Sequence, residues 1–144
     1  MAMVTTDGKS TARIPRWISA VQVLLILIML SQVYLFFLDL EAVRASGITI
    51  DTVADLNLAY EFGARTLTMA IVSTVILLSQ RVELFMAMFL MNVVREGLET
   101  IIDPLFPLAN APGSPALDFG LHVIIVSIEL FALFRLHTIH KATQ

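Results

Sequence analysis

Four apolar segments of membrane length constrain this chain more than any other feature of its sequence. Each is about as long as the roughly 20 residues that an α-helix needs to cross the hydrocarbon core of a bilayer. Because a helix satisfies its own backbone hydrogen bonds, the segments predict an all-α integral membrane protein built as a four-helix bundle. With 58% hydrophobic and 15% charged residues, the composition is far from that of a soluble domain. The predicted spans are residues 17–38, 58–79, 82–102 and 117–136.

The distribution of Lys and Arg predicts how these helices are oriented. Basic residues occur in the N-terminal tail, at Arg81 between the second and third spans, and at Arg135 and Lys141. The two-residue connection Gln80-Arg81 makes the helices on either side antiparallel neighbours. By the positive-inside rule, both termini of the antiparallel bundle are therefore cytoplasmic.

This topology divides the chain into a cytoplasmic polar tail at residues 1–16, a four-span membrane domain at 17–137 and a cytoplasmic tail at 138–144. The outside loops are residues 39–57 and 103–116. The expected location is the bacterial inner (plasma) membrane. A basic region before an apolar run is also typical of a signal peptide, but the first run exceeds the about 7–15 apolar residues of such peptides. An uncleaved span is favoured.

Local signals predict where two of the helices begin or end. Thr52-x-x-Asp55 has the pattern of a capping box, so we expect a helix to begin at Thr52 or the residue before it. That helix is expected to continue without interruption through Ser79. The third span is expected to end at Asp103-Pro104, because proline interrupts helical hydrogen bonding.

Polar residues line one face of the third span. Asn92, Glu96, Glu99 and Asp103 recur at helical spacing, and Arg95 lies beside them. A charge in the middle of a helix costs roughly 2.5–3.5 kcal/mol on the insertion scale, whereas each Leu, Ile, Val or Phe returns only about 0.3–0.6 kcal/mol. The segment therefore needs partners from other helices or from water, and we expect its polar face to point inward.

Two further polar stripes lie in the same outer half of the predicted bundle. They comprise Glu61 and Arg65 on the second span and Asp118, His122 and Glu129 on the fourth. Because the second and third spans are predicted neighbours, we expect crossed ion pairs between them. The expected pairs are Arg65 with Glu99 and Arg95 with Glu61.

These charges have two interpretations. A structural ion-pair network would hold the bundle together. A polar-lined pocket would bind a lipophilic ligand, and the surplus of glutamates over arginines slightly favours it because at least one carboxyl group is left over. Such a group in apolar surroundings favours its protonated form, and a protonatable acid beside a fixed arginine suits general acid–base catalysis.

The candidate site residues follow from these roles. The candidate acids and bases are Glu61, Glu96 and Glu99, with His122 as an auxiliary. The candidate substrate-binding residues are Arg65, Arg95, Asn92, Asp103 and Asp118. The plainer alternatives are an ordinary hydrogen bond for His122 and an N-cap for Asp118. A metal site could be formed by Glu96, Glu99, Asp118 and His122, but the Glu-x-x-His pattern of di-iron bundles and a His-x-x-x-His pair are both absent, so no metal or cofactor is predicted.

The sequence excludes several classes of function. The chain has no Cys, which excludes a disulfide framework, a thiolate nucleophile and iron–sulfur ligation. It has no basic run with interleaved aromatic residues, so nucleic acid is not an expected partner.

The leading prediction is a membrane-embedded acid–base enzyme or binding protein for a lipophilic small molecule or lipid. Isomerase, cyclase or epoxide-opening chemistry would need only proton transfer. The alternative is a non-catalytic subunit or assembly partner, in a homo-oligomer or a larger membrane complex. A proton-coupled carrier is disfavoured, because four spans without internal repeats make a poor alternating-access device.

Two short motifs carry a resemblance to a known family. Gly63-Ala64-Arg65 lies near the start of the second span, and Arg95 lies near the end of the third. With its outside loop and four spans, the chain resembles small bacterial membrane proteins of the DoxX-like kind. The resemblance covers most of the chain and implies four helices and an arginine-centred site, without naming a chemistry.

Overall fold

The computed structural model describes residues 13–108, 110 and 114–143, and this part of the chain is helical without strands. The all-α prediction is confirmed. Residues 1–12 of the predicted tail (1–16), the loop residues 109 and 111–113, and residue 144 lie outside the described residues. The helices are α1 (Arg16–Leu38), α2 (Leu40–Ala45), α3 (Val53–Ser79), α4 (Val82–Leu105) and α5 (Pro115–Lys141).

Three of these helices, α1, α3 and α5, are long and apolar enough to cross a membrane. They contain 23, 27 and 27 residues, which exceeds the length that a bilayer requires. This finding indicates an integral membrane protein. Helix α4 has 24 residues but is not among the three. It carries more charge, with Glu83 near its start and Arg95, Glu96 and Glu99 in its second half.

The helix boundaries follow the local signals closely. The Thr52 hydroxyl accepts a hydrogen bond from the Asp55 backbone, while the Asp55 carboxylate accepts one from the Thr52 backbone. The predicted capping box and the uninterrupted helix through Ser79 are therefore confirmed. Residues 39–57, predicted as a loop, contain the short helix α2 and the first turn of α3.

Helix α4 ends later than its proline predicts. It continues through Pro104 to Leu105, one residue beyond the predicted end at Asp103-Pro104. A proline in the last turn removes only one intrahelical hydrogen bond, and helix ends are in any case defined to within one or two residues.

Helix α3 packs along α1 through small and aromatic residues. The rings of Phe36 and Phe62 lie 4.6 Å apart between centroids, and Phe37 stacks on Tyr60 at 5.8 Å. A Cβ atom built on Gly63 would lie 2.8 Å from the Phe37 ring, so this ring fits against α3 because the position has no side chain. The buried face of α3 consists of Ala59, Gly63, Thr66, Ala70, Ser73 and Ile76.

The four long helices meet in one apolar cluster near the Gln80-Arg81 connection. Its members include Ile18 of α1, Ile76 of α3, Phe85 and Phe89 of α4, and Ala132 and Leu136 of α5. The Ser73 hydroxyl also contacts the Met88 sulfur at 3.4 Å, joining α3 to α4. Gln80 has a left-handed backbone with φ 50°, which ends α3 and redirects the chain into α4.

Candidate functional site

The candidate site lies between α4 and α5, which pack on each other more extensively than any other pair of helices. Asn92 and Glu96 of α4 are buried, as the inward-facing stripe predicts, and Glu129 of α5 is fully buried. Polar residues three or four positions apart share a helix face, so the stripe runs along this interface. Arg95, Glu99, Asp103, Asp118 and His122 are half-buried around it.

Glu96 is the centre of the cluster. Its Oε1 accepts a hydrogen bond from the Arg95 guanidinium, and its Oε2 lies 2.9 Å from His122 Nδ1. The Glu96 side chain is only 6% exposed. A buried carboxylate is tolerated when it is paired and hydrogen-bonded, and Glu96 has a partner at each oxygen.

His122 connects this buried carboxylate to the end of the interface. Its Nε2 lies 3.1 Å from Asp103 Oδ2 and 3.9 Å from Asp118 Oδ1. The side chains of Asp103 and Asp118 are 39% and 46% exposed, whereas that of His122 is 17% exposed. The imidazole therefore lies between an enclosed acid and two acids that reach the surface.

The start of α5 explains the position of these groups. Ser114, and not Asp118, caps the helix: its hydroxyl accepts a hydrogen bond from the Leu117 backbone, and Pro115 occupies the first helical position. The N-cap alternative for Asp118 is therefore wrong. Asp118 lies in the first turn, one turn before His122, and this spacing brings both side chains to the same face.

Glu99 is held more loosely than Glu96. Its Oε1 lies 3.8 Å from Arg95 Nε, beyond hydrogen-bonding distance, and its side chain is 34% exposed. Arg95 thus has one close carboxylate partner and one distant one on its own helix.

The structure does not bring Glu61 and Arg65 to this cluster. They form an ion pair with each other at 2.8 Å on an exposed face of α3, where Asn57 also donates to Glu61. The predicted crossed pairs of Arg65 with Glu99 and of Arg95 with Glu61 are wrong. The physical reason is that α3 turns its small residues toward α1, while the polar face of α4 is covered by α5. The site roles predicted for Glu61 and Arg65 stay predictions.

Four side chains have buried polar atoms that lack a hydrogen-bond partner among the described residues. These atoms are both carboxylate oxygens of Glu129, both amide atoms of Gln22, Oδ1 of Asn92 and Nε of Arg95. Glu129 lies within electrostatic range of Glu96 and Arg95, so its buried carboxyl group belongs to the same cluster. The candidate site set from sequence omits Glu129 and Gln22. For Gln22, the signal was an amide within an apolar span, although Gln32 of the same span gives an equal signal.

The cluster contains more acids than bases. Five carboxyl groups, those of Glu96, Glu99, Asp103, Asp118 and Glu129, surround Arg95 and His122. Two sets of side chains have metal-ligand atoms within 4.8 Å of one another: Glu96, Glu99 and His122, and Asp103, Asp118 and His122. An excess of buried or half-buried carboxylates is neutralised by protons, by a bound cation or by a basic partner.

Together, the helices and the cluster define an integral membrane protein with an acid-rich site between two helices. Comparisons with protein-family models, curated proteins and solved structures found no match for the chain. The resemblance to DoxX-like proteins stays a prediction, and function has to be inferred from the site itself.

Proposed function

We propose that this chain is a membrane-embedded acid–base enzyme or binding protein for a lipophilic small molecule, with its site between α4 and α5. The observation that carries the proposal is a continuous polar chain from Arg95 through Glu96 and His122 to Asp103. It joins an enclosed interior to the surface through groups that hold and release protons.

The proposal includes the topology in which such a site would operate. Four spans, α1, α3, α4 and α5, form an antiparallel bundle in the bacterial inner membrane with both termini cytoplasmic, and α4 is the third of them in chain order. Two contacts support antiparallel directions for the packed helices. The end of α1 meets the first half of α3 at Phe36 and Phe62, and the end of α4 meets the beginning of α5 at Asp103 and His122. Burial of the α4 charges against α5 reduces the cost of placing that helix in lipid.

The roles within the site differ from residue to residue. Glu96 is fixed by Arg95 and His122, so it is a positioning residue. Glu99 has only a distant ion pair and is one-third exposed, which leaves its carboxyl group available to a ligand. Glu99 is therefore the proposed general acid or base, and Arg95 the group that stabilises an anion formed beside it.

The chemistry that fits these groups is proton transfer. Isomerisation, cyclisation and epoxide opening each proceed when an acid donates a proton at one atom and a base removes one at another. His122, through Asp103, would exchange the proton with the aqueous side between turnovers. The surplus of carboxyl groups supports such a site, because some of them must carry protons or meet a cation.

The test replaces Glu99 with Gln, which keeps the shape and removes the titratable group. Purified protein is incubated with a lipid extract of its native membrane, and isomerised, cyclised or ring-opened products are followed by mass spectrometry. We expect Glu99→Gln to lower turnover by about 10²- to 10⁴-fold, the usual contribution of a positioned acid or base. Glu83→Gln is the matched control, because Glu83 also pairs with a histidine of α5, His140 at 3.5 Å, but at the other end of the helix. Wild-type turnover by a folded Glu99→Gln protein would refute the proposed role.

The second candidate function is a non-catalytic subunit or assembly partner in a homo-oligomer or a larger membrane complex. The observation that favours it is the double pairing of Glu96, because a buried carboxylate satisfied by two helices holds those helices together. In that case the remaining acids would meet basic residues of the partner. Native mass spectrometry of the protein extracted from its membrane distinguishes the two candidates: a stoichiometric protein partner lost in Asp103→Asn supports assembly.

A further inference from the structure

The His122 ring has a carboxylate oxygen close to each of its nitrogen atoms. Glu96 Oε2 lies 2.9 Å from Nδ1, and Asp103 Oδ2 lies 3.1 Å from Nε2, with Asp118 Oδ1 at 3.9 Å from the same nitrogen. A neutral imidazole has a single N–H, so it can donate to only one of these two sides. The other nitrogen then directs a lone pair at carboxylate oxygen.

The surroundings of Glu96 decide which nitrogen carries the hydrogen of a neutral ring. Glu96 is buried and paired with Arg95, so its second oxygen is an acceptor that needs a donor. In the neutral tautomer that satisfies Glu96, Nδ1–H of His122 is that donor. Nε2 is consequently the nitrogen with the free lone pair, and it faces two carboxylates at once. Only a positive species at that corner, a proton or a metal ion, removes the repulsion.

We propose that Asp103, Asp118 and Nε2 of His122 bind one divalent transition-metal ion of the Zn²⁺ kind. One carboxylate is sufficient to pair with a protonated imidazole, whereas three donor atoms around one point are what a metal ion requires. These donor atoms lie within 4.8 Å of one another. Ligands about 2.1 Å from zinc are separated by about 3.4 Å in a tetrahedral site. The 3.1 Å separation fits, and the 3.9 Å separation needs a small rotation of Asp118.

Glu96 has a specific part in this arrangement. Histidine ligands of metals commonly donate their second ring hydrogen to a carboxylate, which fixes the tautomer and makes the ligating nitrogen more basic. The contact of Glu96 with Nδ1 has this geometry, and Arg95 holds the carboxylate in place. Glu96 is therefore a positioning residue for the metal and not a ligand.

The position of the site suits an exchangeable ion. Asp103 and Asp118 are partly exposed, so an ion can reach them from the surface. With three protein ligands, the ion retains an open coordination position for water or a ligand atom. The inference goes beyond the proposed acid–base function. An ion at Nε2 and Asp103 would take the place of the proton exchange proposed for those two groups. The role proposed for Glu99 is unaffected, since Glu99 is not a ligand.

The experiment measures metal binding directly. The full-length protein, purified in detergent and stripped with a chelator, is titrated with Zn²⁺ by calorimetry at neutral pH. We expect one bound ion per chain. His122→Gln and Asp103→Asn should each weaken binding at least about tenfold, because each removes a ligand. Glu96→Gln should weaken it by about 10- to 100-fold, the effect of losing a carboxylate that orients a ligating histidine.

Controls separate this site from general binding to acidic groups. Glu83→Gln removes a carboxylate that pairs with His140 on the same two helices, and it should bind Zn²⁺ as the wild type does. Matching elution volumes and helical circular dichroism establish that each variant is folded, and Asp118→Asn replaces Asp103→Asn if that variant fails to fold. The proposal is overturned if the wild type binds no Zn²⁺, if folded site variants bind it equally well, or if Glu83→Gln loses binding to the same extent. None of these outcomes depends on turnover, so the acid–base proposal stands or falls separately.

Discussion

The two main helix interfaces of this protein associate by different physical means. Between α1 and α3, a glycine on α3 leaves room for the aromatic rings of α1, and Phe36 packs against Phe62. Between α4 and α5, a buried carboxylate joins an arginine of its own helix to a histidine of the other. The first interface is stabilised by close packing, whereas the second depends on charges that must remain satisfied.

The difference explains why the candidate site lies where it does. The close packing of Phe37 against Gly63 leaves little room for a ligand. The α4–α5 interface has paired and unpaired acids, some enclosed and some reaching the surface. Removal of the Arg95 guanidinium should therefore lower the stability of the protein more than a change at the packed α1–α3 interface.

Arg95→Ala is expected to have the largest effect on stability. It leaves Glu96 buried with one partner instead of two, and breaking a buried pair by removing one partner costs roughly 3–5 kcal/mol. Arg65→Ala is the matched control, because its pair with Glu61 is exposed and such pairs contribute under about 1 kcal/mol. Unfolding of both variants in mixed micelles measures the difference. Small, equal losses would mean that the α4–α5 charges are solvated and not structural.

The sequence predicted the local features of the fold better than the partners of each helix. The capping box of Thr52 and Asp55 is a short-range signal, and it places the start of α3 correctly. A polar stripe, in contrast, identifies the inward face of a helix without identifying the neighbour that covers it. The two-residue connection favoured α3 as the partner of α4, but α4 packs chiefly along α5.

The same limit applies to the candidate site. Arg95, Glu96 and His122 come together because each lies on a face that must be buried. Glu61 and Arg65 show equally suitable helical spacing, yet residues four positions apart can satisfy each other on the surface. The small residues Ala59, Gly63 and Ala70 were the missed signal, since they mark the face of α3 that approaches another helix.

Gly63→Ala should have an intermediate effect and tests the packed interface directly. The added Cβ would lie 2.8 Å from the Phe37 ring and 3.1 Å from Phe36, and forcing extra volume into a packed contact costs about 1–3 kcal/mol. Gly97→Ala is the matched control on α4, where a Cβ meets nothing within 4 Å. There the change should stabilise the protein by about 0.5–1 kcal/mol through helix propensity. The unfolding temperature should fall for Gly63→Ala and rise for Gly97→Ala. If both variants raise it, the packing of α1 on α3 does not depend on the missing side chain at Gly63.

The smallest effect is expected at Gln80, in the connection that joins the packed pair of helices to the charged pair. Gln80 has φ 50°, a conformation that is unfavourable for residues with a side chain and open to glycine. Gln80→Gly should therefore stabilise the protein by a few tenths to about 1 kcal/mol, although it removes the hydrogen bond from the Gln80 amide to the Leu77 carbonyl. Gln80→Ala separates the two contributions, because it removes the hydrogen bond and keeps the strain. If Gln80→Gly and Gln80→Ala destabilise the protein equally, the hydrogen bond and not the backbone conformation determines how the two pairs of helices are joined.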